Sequence, residues 1–348
     1  MTPILRKAFA IVSLLALLLA PAPSHAWGYT GHEAVAFVAW QQLTPTTRAR
    51  VLVLLRMVPT LHNPHGTDTI PGYADWVSDL PPGLSEDEKD QYLFMRAATW
   101  ADTIKLHWLK TSYAPPPNRA FEVNIGYTDT ESHAYWHFID TPFTSDNSTL
   151  PPPAPAPNIQ TQIIALRQDI GSDEDDLLKS YDMVWLLHIV GDIHQPLHVI
   201  TRYFAGKGDK GGNDVKIRLA PAMTKMFEGT LSKDAPTELH FFWDDLPGEG
   251  QPGPALPQAA AYAVSLPSPA AAEVANTDPA RWAAESFALA KRDAYSSPIG
   301  RSPQPPASSG TSSYLITTAY YNKAMADARS RIALAGARLA KLLNENLK

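Results

Sequence analysis

From Tyr181 to Ile200 the chain reads YDMVWLLHIVGDIHQPLHVI, with apolar residues on nearly every side of a helical projection. A helix of that kind belongs inside a core rather than at a surface. The acidic turn before it extends the expected helix over Glu174 to His194. Other stretches carry a single apolar face. Val35, Ala36, Val38, Ala39 and Leu43 recur at helical spacing from His32 to Leu43, and Thr44 before Pro45 marks the cap of a second helix reaching Met57. Asn63, Pro64 and Gly66 read as loop. Ser85 with Glu86, Asp87 and Glu88 opens a third helical run through Tyr92, Met95, Ala98, Trp100 and Ile104 to Leu109. Ile159 to Ile170 and Arg281 to Tyr295 repeat the period, and Tyr314 to Leu347 carries the longest stripe, including Ile316, Ala324, Ile332, Leu339 and Leu343.

Strand signals are few. Tyr135 to Asp140, YWHFID, is too short to assign between strand and helix. Lys207 to Asp214, KGDKGGND, reads as a turn, and the alternating Val215, Ile217 and Leu219 after it predict a small hairpin. Ser112 to Glu131 is irregular, and Pro151 to Pro157 is extended. Pro247 to Pro279 and Ser296 to Ser313 are rich in Pro, Ala, Gly and Ser and read as surface insertions or, in the alanine-rich middle of the first, as a helix. The pattern predicts a mainly α fold. One helical domain is expected over 27–348, with Pro/Ala-rich loop insertions near 113–131, 143–157, 248–279 and 296–313.

Composition adds a processing signal and removes some partners. Arg6 and Lys7 precede an apolar run from Ala8 to Ala20, and Ser24-His25-Ala26 supplies small residues for cleavage, so residues 1–26 read as a secretory signal peptide. The run is too short to span a bilayer. An exported protein beginning at Trp27 is expected, secreted or periplasmic and without stable membrane association. The sequence holds no cysteine, so any staple beyond its core must be a metal. Forty-five per cent hydrophobic residues and nine tryptophans can build that core. The formal charge of −6 becomes −8 on cleavage, because the lost segment holds two basic residues and no acidic one. A strongly basic nucleic-acid footprint is therefore absent.

Candidate chemistry centres on the apolar helix. His188 and Asp192 are four residues apart and share one side of it, at about 100° per residue. His198 follows just past Pro196, which a helix interior does not accommodate, and is presented from the helix end. The first two form either a hydrogen-bonded pair or part of the nitrogen and oxygen ligand set that zinc takes. Burial favours the second reading, because a buried carboxylate needs a partner. His240 and Asp244, in LHFFWDD, repeat the spacing among large apolar residues. Asp102 in ATWAD and His137 in YWHFID add two more groups in apolar settings. Cleavage before Trp27 would put His32 near a new α-amino group, whose pKa of about 8 leaves its nitrogen able to chelate metal together with the first carbonyl. His62, His65, His107, His133 and His194 read as surface, loop or satisfied core histidines.

WGYTGH at Trp27 to His32, ATWAD, WHFID, HIVGDIHQPLH and LHFFWD occur in that order. Together they resemble the motifs of the zinc-dependent single-strand nuclease family typified by mung bean nuclease, with the bacterial zinc phospholipases C as more distant relatives. The resemblance implies a helical phospholipase C/nuclease-type fold holding three Zn2+ ions. It implies that Asp102, His137, His188 and Asp192 hold one ion and that His198, His240 and Asp244 hold a second. The Trp27 amine and carbonyl with His32 would hold the third, and Asp192 would bridge the first and third. Asp102, Asp192 and Lys105 then stand at the reacting centre, where water on zinc, with its pKa lowered to about 7, attacks phosphorus as hydroxide.

The implied activity is endonucleolytic cleavage of single-stranded DNA and RNA to 5′-phosphorylated products, together with hydrolysis of 3′-nucleotides, by a monomer. Phe138 would stack on an unpaired base and Asp140 would accept hydrogen bonds from it; read without the resemblance, they are an aromatic core residue and a turn aspartate. Lys105 stands where family members often carry a phosphate-contacting arginine, and lysine keeps the charge without the bidentate geometry. Asn213 follows Gly211 and Gly212 in a turn that the family places near the site, although Gly-Gly-Asn forms a tight turn unaided. A zinc phospholipase C is the nearest alternative, but its pattern has glutamate in place of Asp244 and lacks the WHFID run. A non-enzymatic zinc-binding surface protein is the other, and it has no evident need of nine ligands at these spacings.

Overall fold

The computed structural model describes residues 27–63, 67–107, 125–129, 131–227, 235–248 and 256–347. Residues 1–26, where a signal segment is expected, most of the irregular run before Glu131, and His65 lie outside the described residues. The chain is mainly helical. Its first half contains α1 (Tyr29–Gln42), α2 (Pro45–Leu55), the short α3 (Tyr73–Ser78), α4 (Glu86–Ala97), α5 (Trp100–His107), α6 (Ile159–Ile170) and α7 (Asp176–Asp192). The second half adds α8 (Pro221–Met226), α9 (Leu239–Asp244), α10 (Leu256–Val264), α11 (Ala271–Val274), α12 (Pro279–Leu289) and α13 (Thr318–Asn346).

Helix starts follow their capping chemistry. Thr44 Oγ1 accepts the Thr47 amide ahead of α2, Ser85 and Glu88 form a reciprocal capping box on α4, and Asp175 caps α7 through the Leu177 amide at 2.8 Å. Every residue of α7 from Lys179 to Asp192 is buried, as its all-round apolar pattern predicts. α1, α2, α5, α6 and α13 pack around it, so polar groups on α7 face protein on all sides.

Four expectations are corrected. The run from Glu86 to Leu109 is not one helix: it breaks between Ala97 and Trp100 although no Pro or Gly lies there. Thr99 Oγ1 donates to the Arg96 carbonyl, and the Ala98 carbonyl turns out of the ladder to accept from His188 Nδ1 at 2.7 Å. Second, Val215 to Leu219 does not close a hairpin on the turn before it. After a short antiparallel pair of β1 (Leu61–His62) with β2 (Thr69–Ile70), the hairpin joins β4 (Thr201–Phe204) to β5 (Lys207–Gly208), with β3 (Pro142–Thr144) parallel on the other side. Third, Tyr314–Ile316 is a strand, β7, pairing in parallel with β6 (Ile217–Leu219); helix α13 starts only after Thr317, whose hydroxyl accepts the Tyr320 amide. Alternation marks a half-buried strand but leaves its partner open. Fourth, the helix expected up to Tyr295 ends in a single π-helical turn, Ala290–Ala294.

The alanine-rich middle of Pro247 to Pro279 forms α10 and α11. YWHFID resolves into a 3-10 turn, Ala134–His137, followed by extended Phe138. No helix among the described residues is long and apolar enough to cross a membrane.

Candidate metal centre

Among the described residues, three groups of side chains have ligand atoms within 4.8 Å of one another: His32, Asp102 and His188; His137, His188 and Asp192; His198, His240 and Asp244. All are buried. The first two share His188 and form one cluster. His32 comes from the first turn of α1, Asp102 from the first turn of α5, and His188 and Asp192 from the end of α7. His137 closes the 3-10 turn after His133, and His198 lies in a second 3-10 turn, Pro196–Val199, begun by the proline that stops α7. His240 and Asp244 share a face of α9.

Asp192 is the hinge of the cluster. Its Oδ1 lies 3.2 Å from His32 Nε2, and its Oδ2 lies 3.0 Å from His137 Nδ1 and 3.3 Å from His188 Nε2. Asp102 Oδ1 is 3.6 Å from His188 Nε2. In the third group, Asp244 Oδ1 is 3.7 Å from His198 Nε2 and Oδ2 is 3.5 Å from His240 Nε2. Trp27 sits against both parts, its indole donating to the Gly191 carbonyl at 3.1 Å while the Gly28 amide donates to the Asp244 carbonyl at 2.9 Å.

An outer layer fixes the imidazoles. Nδ1 of His188, His198 and His240 donates to the carbonyls of Ala98, His137 and Gly211 at 2.7, 2.7 and 2.8 Å. A carbonyl only accepts, so each ring carries its proton on Nδ1 and turns the Nε2 lone pair inward. Two such lone pairs, on His198 and His240, face each other across 3.1 Å. Neutral imidazoles cannot hydrogen-bond in that arrangement, whereas a cation placed between them is bound by both. Asp192 Oδ1 is likewise buried and makes no hydrogen bond. The donor set therefore fits a metal of the kind bound by nitrogen and oxygen.

Burial favours the same protonation states as the geometry. Burial drives His188 and His240 down to about 4 and holds His137 and His198 below the ordinary histidine value. These are the neutral forms that ligate metals. Burial pushes the Asp192 carboxyl up to about 6, the response of a carboxylate short of positive charge.

Gly191 permits the tight approach of α1 to α7. A Cβ there would stand 3.0 Å from His32 Nδ1 and 3.2 Å from its Cε1, and the ring is already stacked on His188 with centroids 3.7 Å apart. Gly191→Ala improves helix propensity by about 1 kcal/mol. It is nevertheless expected to lower metal affinity about tenfold by displacing His32, as read by metal retained against a competing chelator.

The other candidate residues are more scattered. Lys105 is buried, with Nζ 2.7 Å from Asp102 Oδ1. Phe138 is half-buried beside the cluster, and the next amide, Ile139, donates to the His198 carbonyl at 2.8 Å. Asp140 is exposed and accepts the Thr201 hydroxyl. Asn213 donates its side-chain amide to the Lys210 carbonyl at 2.7 Å, closing its own turn. His133 and His194 are core histidines, partnered by Tyr135 and by the Val190 carbonyl and Arg338. Sequence reasoning missed Gln195, whose Nε2 donates to Asp244 Oδ1 at 2.6 Å; its only sequence signal is a polar residue wedged between His194 and Pro196.

A mainly helical chain folded around buried His/Asp groups suited to metal defines a class of metal-centred helical proteins. Residues 27–348 match the S1/P1 nuclease family, and the chain belongs to that family. It is similar to Endonuclease 4 of Arabidopsis thaliana, 27% identical over 252 residues that make up 71% of this chain and 62% of that protein. The chain thus spans less than two thirds of that relative's length.

Proposed function

We propose that this chain is an exported zinc-dependent endonuclease that hydrolyses single-stranded DNA and RNA to 5′-phosphorylated products and also acts on 3′-nucleotides. The observation that carries the reading is Asp192, buried with one oxygen toward His32 and the other toward His137 and His188, as a carboxylate bridging two ions requires. In this reading Asp102, His137, His188 and Asp192 would hold one zinc, and His198, His240 and Asp244 would hold another. His32 and Asp192 would hold the third with the amine and carbonyl of Trp27, which cleavage after Ala26 would free. Bound zinc supplies a Lewis acid for the phosphoryl oxygens and lowers the pKa of water to about 7.

The protein's own groups select and orient. Lys105 puts a buried ammonium beside Asp102, where it offsets negative charge and would attract an incoming phosphate. Phe138 offers a ring to an unpaired base, and Asp140 an acceptor to its amino groups. Bases in a duplex are stacked and paired, which favours single strands. Asn213 shapes the turn beside His240. Phe138→Ala is expected to lower kcat/KM on single-stranded DNA about tenfold while leaving a phosphodiester without a base unaffected.

One panel tests the function: single- and double-stranded DNA, RNA, a 3′-nucleotide and phosphatidylcholine, each with and without chelator. Chelator-sensitive cleavage of the single-stranded substrates and the 3′-nucleotide is expected. Preferential turnover of phosphatidylcholine would instead identify a phospholipase C, and zinc binding without turnover of any phosphoester a binding protein.

A further inference from the structure

A buried carboxylate outside every ligand set stands behind one metal group. Asp209 is fully buried between β5 and the Gly211–Gly212 turn. Its Oδ1 accepts the Arg202 amide at 3.0 Å, the Tyr295 hydroxyl at 3.0 Å and the Gly212 amide at 3.3 Å, and its Oδ2 accepts Arg202 Nε at 3.1 Å. Arg202 is itself anchored, donating to the Gly300 and Ser302 carbonyls at 2.5 and 3.2 Å with its guanidinium 4.5 Å from the centre of the Tyr295 ring. Tyr295 directly follows the π-helical turn, a local rewinding common beside functional sites.

What this network holds in place is the Gly211–Gly212 turn. Both glycines have positive φ, at 61° and 89°, and a Cβ on Gly211 would stand 2.5 Å from the Leu197 carbonyl oxygen. The turn is therefore wedged between the segment carrying His198 and the ring of His240. Its Gly211 carbonyl, accepting from His240 Nδ1 at 2.8 Å, aims that imidazole at His198 and Asp244. Two glycines in left-handed conformations do not fix such a carbonyl by themselves, because glycine is the residue freest to leave the conformation. The Asp209 backbone carbonyl accepts the Gly212 amide at 3.1 Å, and the carboxylate adds a second grip on that amide and ties the turn to Arg202 and Tyr295.

We infer that Asp209 is a positioning residue for the metal held by His198, His240 and Asp244, acting through the Gly211 carbonyl on His240 Nδ1. The inference rests on the proposed metal assignment. It makes Arg202, Asp209 and Tyr295 determinants of one ion's affinity rather than of general stability, since among the described residues their side chains hydrogen-bond around the Gly211–Gly212 turn and not to His32, Asp102, His137 or Asp192.

The test is metal binding, read without turnover. Purified wild type, Asp209→Asn, Tyr295→Phe, His240→Ala and the double variant Asp209→Asn/His240→Ala are titrated with zinc against a competing chelator, with folding checked by circular dichroism. Asp209→Asn is expected to weaken one ion by about 10- to 100-fold and leave the others unchanged, the size typical of groups that orient a ligand. Tyr295→Phe, which removes a single hydrogen bond, should weaken the same ion less, and it keeps the question answerable if Asp209→Asn does not fold. In the His240→Ala background, Asp209→Asn should have no further effect, because the ring it positions is gone. As a stability control, Leu54→Ala in α2, a helix that contributes no ligand, should lower melting temperature without lowering any ion's affinity. Unchanged binding in both Asp209→Asn and Tyr295→Phe, or equal weakening of every ion, overturns the inference. A wild-type protein whose zinc content is unaffected by His240→Ala overturns the metal assignment beneath it instead.

Discussion

Asp192→Asn is expected to lower phosphodiester hydrolysis by at least about 10³-fold, near 4 kcal/mol of transition-state stabilisation, and to weaken two metal ions together. The substitution preserves shape, so the fold should survive. Charge and donor pattern change. An amide has one oxygen and one NH2 group, and the site offers room for only one to face each way. If the NH2 points toward His137 and His188, it donates to the lone pairs now 3.0 and 3.3 Å away and takes them from a metal. If it points the other way, it does the same to His32 at 3.2 Å. Either orientation disables one side, and the lost negative charge weakens the other. Full burial leaves no water to compensate. Metal analysis after chelator dialysis, beside a rate measurement, decides it: full activity with undiminished metal removes the bridging role.

How much of this was readable in the sequence depends on whether the signal was local. The core helices were legible because burial repeats at helical spacing, and α7 stood out because it has no polar face. The pairs His188 with Asp192 and His240 with Asp244 were legible for the same reason, since four residues is one turn. The break at Ala98 was not, because nothing in ALA-THR marks an end; its cause is a tertiary bond from His188 to a carbonyl 90 positions earlier. The pairing of β6 with β7 joins segments nearly a hundred residues apart, and local alternation carries no information about such a partner. Asp209 was hidden inside a turn motif whose glycines explained it sufficiently. The arginines of α13 are the sharpest case. Arg331 and Arg338 interrupt an apolar stripe two turns apart and resemble solvent-facing charges, yet both are buried, because the acid that meets them comes from another helix.

That acid, Glu285 of α12, leads to a large expected stability effect. Its Oε2 lies 3.4 Å from Arg331 Nη1 and 2.8 Å from Arg338 Nη1, and its Oε1 accepts Arg338 Nη2 at 3.1 Å. The two guanidiniums also close the end of α7: Arg331 Nε donates to the His194 carbonyl at 3.3 Å and Arg338 Nη1 to His194 Nε2 at 3.0 Å. Burial already lowers Arg331 to about 10, so little further loss of compensating charge is tolerated. Removing one arginine still leaves Glu285 paired with the other. Removing Glu285 leaves two positive groups side by side whose remaining hydrogen-bond partners are neutral: the His194 and Glu273 carbonyls, His194 Nε2 and the Ser286 hydroxyl. Breaking a buried ion pair from one side costs about 3–5 kcal/mol, and the residual exposure of Glu285, 24%, argues for the lower part of that range. Glu285→Leu is therefore expected to cost about 3 kcal/mol and to lower the melting temperature by roughly 4–5 °C, with Arg338→Met losing about half as much. Thermal unfolding of the metal-loaded protein measures both. The order is the informative result, because a site held together by packing alone would lose more from the larger, fully buried arginine than from the shorter, partly exposed glutamate.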